Sequence, residues 1–149
     1  MNAWQALPDW LAREGTLMLV SVAGVRGSTP REAGASMLVS AQHCCDTIGG
    51  GRLEWEAIAH ARELLAEKPA TPSLLRLPLA ASLGQCCGGI VWLMFERIEC
   101  CDASIWKNRI AALENGHTLS RQCMEGARSD WQIESANGSA ADAATTLDP

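Results

Sequence analysis

Thr16 to Val25, TLMLVSVAGV, limits the fold of this chain more than any other stretch. It is apolar on both alternating faces and rich in β-branched residues, the pattern of a strand buried on two sides. A strand of that kind belongs in the middle of a sheet.

The neighbouring segments supply the rest of the sheet and its cover. Trp4 to Glu14 reads as a short helix packing Leu7, Trp10 and Leu11, with Pro8 tolerable only near its first turn and Gly15 suited to its C-cap. Ala35 to Ser40 and Cys45 to Ile48 read as two short strands. No glycine or asparagine stands at Gln42-His43 to accept positive φ, so the connecting loop is predicted to exceed two residues. Over Arg52 to Lys68 the residues Leu53, Ala57, Ala61, Leu64 and Leu65 recur at helical spacing and Pro69 supplies the stop, while Glu56, His60, Glu63 and Glu67 take the opposite, solvent-facing side. Ser73 to Ala80 fits a strand whose Pro78 belongs at an edge or bulge, and Ile90 to Ile98 a further buried strand.

Ala103 to Glu114 is amphipathic with Asn115-Gly116 as its C-cap, and Thr118 to Met124 can pair with Asp130 to Glu134 as a hairpin. The fold class is therefore α/β: a mixed β-sheet with flanking helices and Gly-rich loops at the sheet rim. Residues 1–134 form one domain in this reading, with its motifs within 16–98. Ser135 to Pro149 has little to bury and reads as a disordered tail.

Composition excludes some classes of function. A net charge of -5 argues against broad binding to nucleic acid or to an anionic membrane. Met1 to Glu14 has no basic region followed by an apolar core, and no stretch approaches the ~18 apolar residues of a membrane span, so a cytoplasmic location is expected. Seven cysteines raise the idea of a disulfide scaffold, but the count is odd and Cys44-Cys45, Cys86-Cys87 and Cys100-Cys101 are adjacent pairs. Reduced thiols are expected. The pairs lack the two-residue gap of a zinc knuckle, which argues against a single structural zinc site. Cys44-Cys45, Cys100-Cys101 and Cys123 are read as packing residues.

Chemistry is concentrated in three glycine-bearing segments. In Gly27-Ser28-Thr29-Pro30-Arg31-Glu32-Ala33-Gly34-Ala35, Thr29 can cap one helical turn, Pro30 take its first position and Glu32 close a capping box. Free N–H groups of that turn would make a small anion site beside Arg31, which is otherwise a surface arginine next to a rigid turn. Thr47-Ile48-Gly49-Gly50-Gly51-Arg52-Leu53-Glu54 joins a strand to a helix start and presents several N–H groups to one point, or else only packs helix against sheet. It matches neither a dinucleotide fingerprint nor a P-loop. Leu83-Gly84-Gln85-Cys86-Cys87-Gly88-Gly89 holds two thiols between glycines, soft donors that are nucleophilic when ionised.

In that order the three segments resemble the N-terminal domain of the xanthine dehydrogenase accessory factor family, XdhC/CoxI. The family usually has glycine where this chain has Asp46, which bears on the local turn. Its members commonly continue into a Rossmann-like C-terminal domain, and 149 residues leave no room for one, so the chain is a natural short form or a fragment. The resemblance implies a factor that binds molybdenum cofactor as cargo, supports replacement of a terminal oxo by sulfido, and delivers it to xanthine dehydrogenase. A cysteine desulfurase and cofactor-supplying proteins would be further partners. Carried to this sequence, it implies cofactor contacts at Cys86 and Cys87, both candidate molybdenum contacts, with Cys87 ranked first because the family keeps a cysteine directly before two glycines. Gln85, Gly88 and Gly89 would shape that loop, and Gly49, Gly50, Gly51, Ser28, Thr29 and Arg31 would serve the phosphate. Trp55 and Trp92 could stack on a pterin, although large aromatics at such positions are mostly core.

Three classes of function stay open on sequence: a cofactor-binding chaperone, a cysteine-dependent sulfur-transfer or redox enzyme, and a scaffold that binds apo-dehydrogenase without cofactor. The enzyme reading lacks an evident cysteine-histidine-carboxylate set. The high apolar content of so small a chain points to a homodimer.

Overall fold

The computed structural model describes residues 2–68, 72–79, 88–123, 130–134 and 143–147. Among the described residues three α-helices, α1 (Ala3–Glu14), α2 (Gly51–Glu67) and α3 (Ala103–Glu114), pack with two sheets. The larger sheet has five strands, β1 (Thr16–Arg26), β2 (Ser36–Val39), β3 (Cys44–Asp46), β4 (Ser73–Pro78) and β5 (Ile90–Glu99), in the order β3-β2-β1-β5-β4. All its pairings are antiparallel. β1 is central, as its two apolar faces require.

Those two faces lead to two separate cores. Met18, Val20 and Val22 point to one side, where α2 brings Leu53, Ala57, Ala61 and Leu64 against them. Leu17 and Leu19 point to the other side and meet Ala3, Ala6, Leu7 and Leu11 of α1 with Trp106 of α3. The period-2 alternation of β1 thus decides which helix covers which face. A register shift at Ala23, between Val22 and Gly24, bends β1 towards its C-terminal end. Ser36 donates its hydroxyl to Ser21 Oγ at 2.9 Å, which satisfies the polar pair buried in this apolar layer.

The loop between β2 and β3 spans residues 40–43 and closes with a Ser40 N–H to His43 C=O bond of 2.8 Å, longer than two residues as expected. Pro78 stands in edge strand β4, and Gly116, at φ +86°, follows α3.

Several expectations are corrected. Pro8 lies inside α1, beyond the first turn. The helix forgoes the Pro8 bond to the Trp4 carbonyl, and the sheet-facing apolar side together with a capping box between Asn2 and Gln5 offsets that loss. His60 is half-buried, edge-on to Phe95 at 4.8 Å, because α2 turns it towards β5. Cys44, Cys100 and Cys101 are exposed, since β3 is an edge strand and Cys100–Asp102 is a short 3-10 turn outside the sheet; Cys45 is half-buried beside the α1 core.

The mixed sheet is the smaller one. β6 (Thr118–Cys123) pairs antiparallel with β7 (Asp130–Glu134) and parallel with β8 (Ala143–Leu147). Ala143–Leu147 falls in the segment read as a tail. It stands at the edge of that sheet, beside β6. No helix among the described residues is long and apolar enough to cross a membrane.

Candidate functional site

β1 ends at Arg26 opposite Ile90, so the first glycine segment leaves the sheet where β5 enters it. Residues 27–34 form bends and a turn, not the single helical turn predicted for 29–32. Gly27 at φ +73° and Gly34 at φ +96° reverse the chain at either end, which leaves too short a span for a helical turn. The Thr29 hydroxyl donates to the Arg31 carbonyl at 3.1 Å. Glu32 is exposed and pairs with Arg31 at 3.6 Å. Its own backbone N–H and the Arg31 guanidinium hold the Glu32 carboxyl below its ordinary range.

Arg31 reaches across to the second segment. Its Nη1 donates to the Thr47 carbonyl at 3.0 Å. Beside that contact, a Cβ on Gly49 would lie 2.7 Å from Pro30 Cβ and 2.9 Å from Pro30 Cγ, so only glycine fits against the proline ring. The first segment and the second are in direct contact.

Within the second segment the N–H groups face an internal acceptor. Glu54 Oε1 accepts from the Ile48 N–H at 3.1 Å, from the Gly50 N–H at 3.3 Å and from the Thr47 hydroxyl in a short bond. The Gly49 N–H donates to Thr47 Oγ1 at 3.0 Å. The converging N–H groups expected here are present, and a carboxylate one turn into α2 meets them. Glu54 was not among the site residues expected from sequence. An acidic residue in the first turn is the signal that it can fold back, much as a capping-box glutamate does.

Asp46 also goes beyond its sequence reading. It stands at φ +69°, its Oδ1 accepting from the Thr47 N–H at 2.8 Å and its Oδ2 from the Ala3 N–H at 3.0 Å. Aspartate is among the few residues with a side chain that tolerate this conformation, and its hydrogen bonds hold the turn.

Of the third segment, Gln85, Cys86 and Cys87 lie outside the described residues, and Gly88 and Gly89 lie within them. Gly88 is exposed, with open space where a Cβ would stand. Gly89 is buried: an added Cβ would meet the Ser28 carbonyl, the Arg26 carbonyl at 2.6 Å and Thr29 Cγ2 at 2.8 Å. Its own carbonyl accepts from the Leu79 N–H at 2.8 Å, which ties together the residues flanking the cysteine segment. Ser28, Thr29, Arg31, Gly49, Gly50, Gly51, Gly88 and Gly89 therefore gather at one rim of the five-stranded sheet.

Trp55 is 68% exposed, against the core position expected for it, because it sits on the face of α2 opposite Leu53 and Ala57. With Gly51 and Arg52 it lines an open cavity of about 430 Å³. Trp92 is half-buried with Ala23, Met94 and Leu74, and the Arg76 guanidinium lies 6.0 Å from its ring. Among the described residues no group of three or more histidine, cysteine, aspartate or glutamate side chains could hold a metal ion.

Residues 10–77 match the model of the XdhC and CoxI family, a span that holds the first two glycine segments and ends before the third. A crystal structure from Bacillus halodurans, described as a xanthine dehydrogenase, shares the fold with a TM-score of 0.71 at 19% identity. The alignment covers 91% of this chain and 43% of that one, so this chain spans less than half of that protein's length. No curated protein matches the chain.

Proposed function

We propose that this chain, matched over residues 10–77 by the XdhC and CoxI family, is an accessory factor that binds molybdenum cofactor and supports its sulfuration. It would then deliver the cofactor to xanthine dehydrogenase or a related molybdenum hydroxylase in the cytoplasm. The family match supports the accessory, maturation role. The observation that carries the cofactor reading is the meeting of three glycine segments at one rim through the Arg31–Thr47, Pro30–Gly49 and Ser28–Gly89 contacts.

The described residues offer the cofactor two of the things it needs. An acidic group is drawn to Arg31 and Arg52, which stand in the first and second segments, each also beside a glutamate. A pterin needs a flat surface, and Trp55 presents one next to Gly51. The metal favours sulfur, which in this sequence stands at Cys86 and Cys87, directly before Gly88 and Gly89. Thiols beside a molybdenum centre act as donors when ionised, and glycines on one side of them let the backbone come close. The apo-dehydrogenase and a sulfur-donating desulfurase are the partners this role requires.

The test is the molybdenum and pterin content of the protein after incubation with molybdenum cofactor, in wild type, Cys87→Ala and Gly50→Val. Gly50 has φ +73° and open space around it, so valine there strains the loop backbone without a clash. Loss of cofactor in both variants supports the reading. Wild type that retains no more cofactor than a control protein overturns it and favours a scaffold that binds the dehydrogenase alone.

A further inference from the structure

We infer that Glu54 is the positioning residue of this rim. Through one oxygen it fixes the loop 47–50, and through that loop the turn on which the base of the cysteine segment rests. The inference deepens the cofactor reading above and rests on it for its meaning.

Oε1 of Glu54 takes the Thr47 hydroxyl, the Ile48 N–H at 3.1 Å and the Gly50 N–H at 3.3 Å. The Gly49 N–H is held by the Thr47 hydroxyl oxygen that Glu54 orients. Three successive amides of a glycine loop are thereby satisfied by one carboxylate and one hydroxyl. A chain with glycine at 49, 50 and 51 has wide backbone freedom, and these bonds remove it.

The fixed loop then acts on its neighbours. The Thr47 carbonyl receives Arg31 Nη1 at 3.0 Å, and Gly49 fits under the Pro30 ring where no side chain could. Arg31 and Pro30 belong to the same turn as Ser28 and Thr29, which lie on Gly89. The Gly89 carbonyl in turn holds the Leu79 N–H at 2.8 Å. A chain of direct contacts thus runs from the Glu54 carboxylate to Gly89 at the end of the cysteine segment and to Leu79 before it.

Two variants separate geometry from charge. Glu54→Gln keeps an acceptor oxygen and loses the charge, whereas Glu54→Ala loses both. Two readouts are taken on the full chain: cofactor retained after incubation, and the rate at which iodoacetamide modifies each cysteine, followed by peptide mass spectrometry. Cys100, exposed and next to Gly15 at the far end of β1, is the internal reference.

Glu54→Ala is expected to lower cofactor retention about tenfold and to change modification of Cys86 and Cys87 at least about fivefold, with Cys100 unchanged. Glu54→Gln is expected to restore both within about twofold. If Glu54→Ala does not fold, Thr47→Val, which removes only the linking hydroxyl, carries the same expectation. The inference is overturned if the Ala or Val variant leaves both readouts at wild-type values, if Cys100 shifts as much as Cys86 and Cys87, or if Gln is as impaired as Ala. Should wild type hold no cofactor while the modification pattern changes as stated, the cofactor reading fails and the positioning role of Glu54 stands.

Discussion

The Asp46 carboxylate stands 3.0 Å from the amide of Ala3, the first residue of α1, and it does so from a backbone at φ +69°. One residue therefore caps a helix on one side of the sheet and turns the chain into the glycine loop on the other. The two hydrogen bonds of Asp46 and the strain of its backbone act in opposite directions. Asp46→Ala loses the bonds and keeps the strain, at a cost of about 3 kcal/mol in urea unfolding. Asp46→Gly loses the bonds and the strain together and should cost about 1 kcal/mol less than Ala. A glycine variant no more stable than the alanine variant would show that φ at this position does not matter.

Gly89 and Gly50 make a matched pair of tests. An alanine Cβ at 89 runs into backbone carbonyls of Arg26 and Ser28, which cannot swing aside, and Gly89→Ala should cost about 3 kcal/mol. At 50 there is open space and only the positive φ to oppose a side chain, so Gly50→Ala should cost about 1 kcal/mol. Equal losses in chemical denaturation would contradict the packing of the first segment on the third.

Arg121 has a fully buried side chain, with Nη1 3.0 Å from Glu96 Oε2, and Trp131 Nε1 also donates to Glu96. Glu96→Ala removes the carboxylate that both Arg121 Nη1 and Trp131 Nε1 donate to and should cost about 3 kcal/mol. The double change of Glu96 and Arg121 to Met should cost less than the single one, because it removes both charges. A double variant worse than either single would mean that the pair itself stabilises the second sheet.

Trp55→Ala is expected to change unfolding free energy by less than about 0.5 kcal/mol, as an exposed side chain should. A buried tryptophan in its place would cost about 3 to 5 kcal/mol. If the exposed ring stacks on the pterin, the same variant should bind cofactor about tenfold more weakly, within the 1 to 3 kcal/mol range of base stacking on aromatics. Unchanged cofactor affinity would remove Trp55 from the site.

The Asp102 carboxylate raises the Cys101 thiol above its ordinary range, with Glu99 adding to the effect. Cys101, although exposed, should therefore react slowly with iodoacetamide at neutral pH, and faster as pH rises through the raised value. Asp102→Asn should speed the reaction at fixed pH. A rate at Cys101 that ignores this substitution would show that the neighbouring carboxylate is not the cause.

The larger sheet was legible because its signals are local. The apolar alternation of Thr16 to Val25, the helical spacing from Leu53 to Leu64 and the Asn115-Gly116 cap each need only neighbouring residues to be read. Pro8 and Trp55 were misplaced for one reason: their surroundings depend on which side of a helix meets the sheet, and neither residue type reveals that. β8 was missed because a five-residue run such as Ala143–Leu147, with no apolar alternation, becomes a strand only when β6 offers its edge.

The candidate site divides along the same line. Its ingredients, the glycines, Arg31 and the paired cysteines at 86 and 87, are all plain in the sequence, because glycine runs and adjacent thiols are recognisable wherever they lie. Their partners are not: Arg31 with Thr47, Pro30 with Gly49, and Ser28 with Gly89 are separated by 16 or more positions; the first two meet once β1, β2 and β3 are paired, the third once β5 joins β1. Sequence by itself determined that a doubly buried strand would lie mid-sheet and that Gly-rich loops would stand at the sheet rim. Tertiary structure alone decided that the loops share one rim and that Glu54 fills the nest of the second, since a carboxylate selects its donors by distance in space and not by distance along the chain.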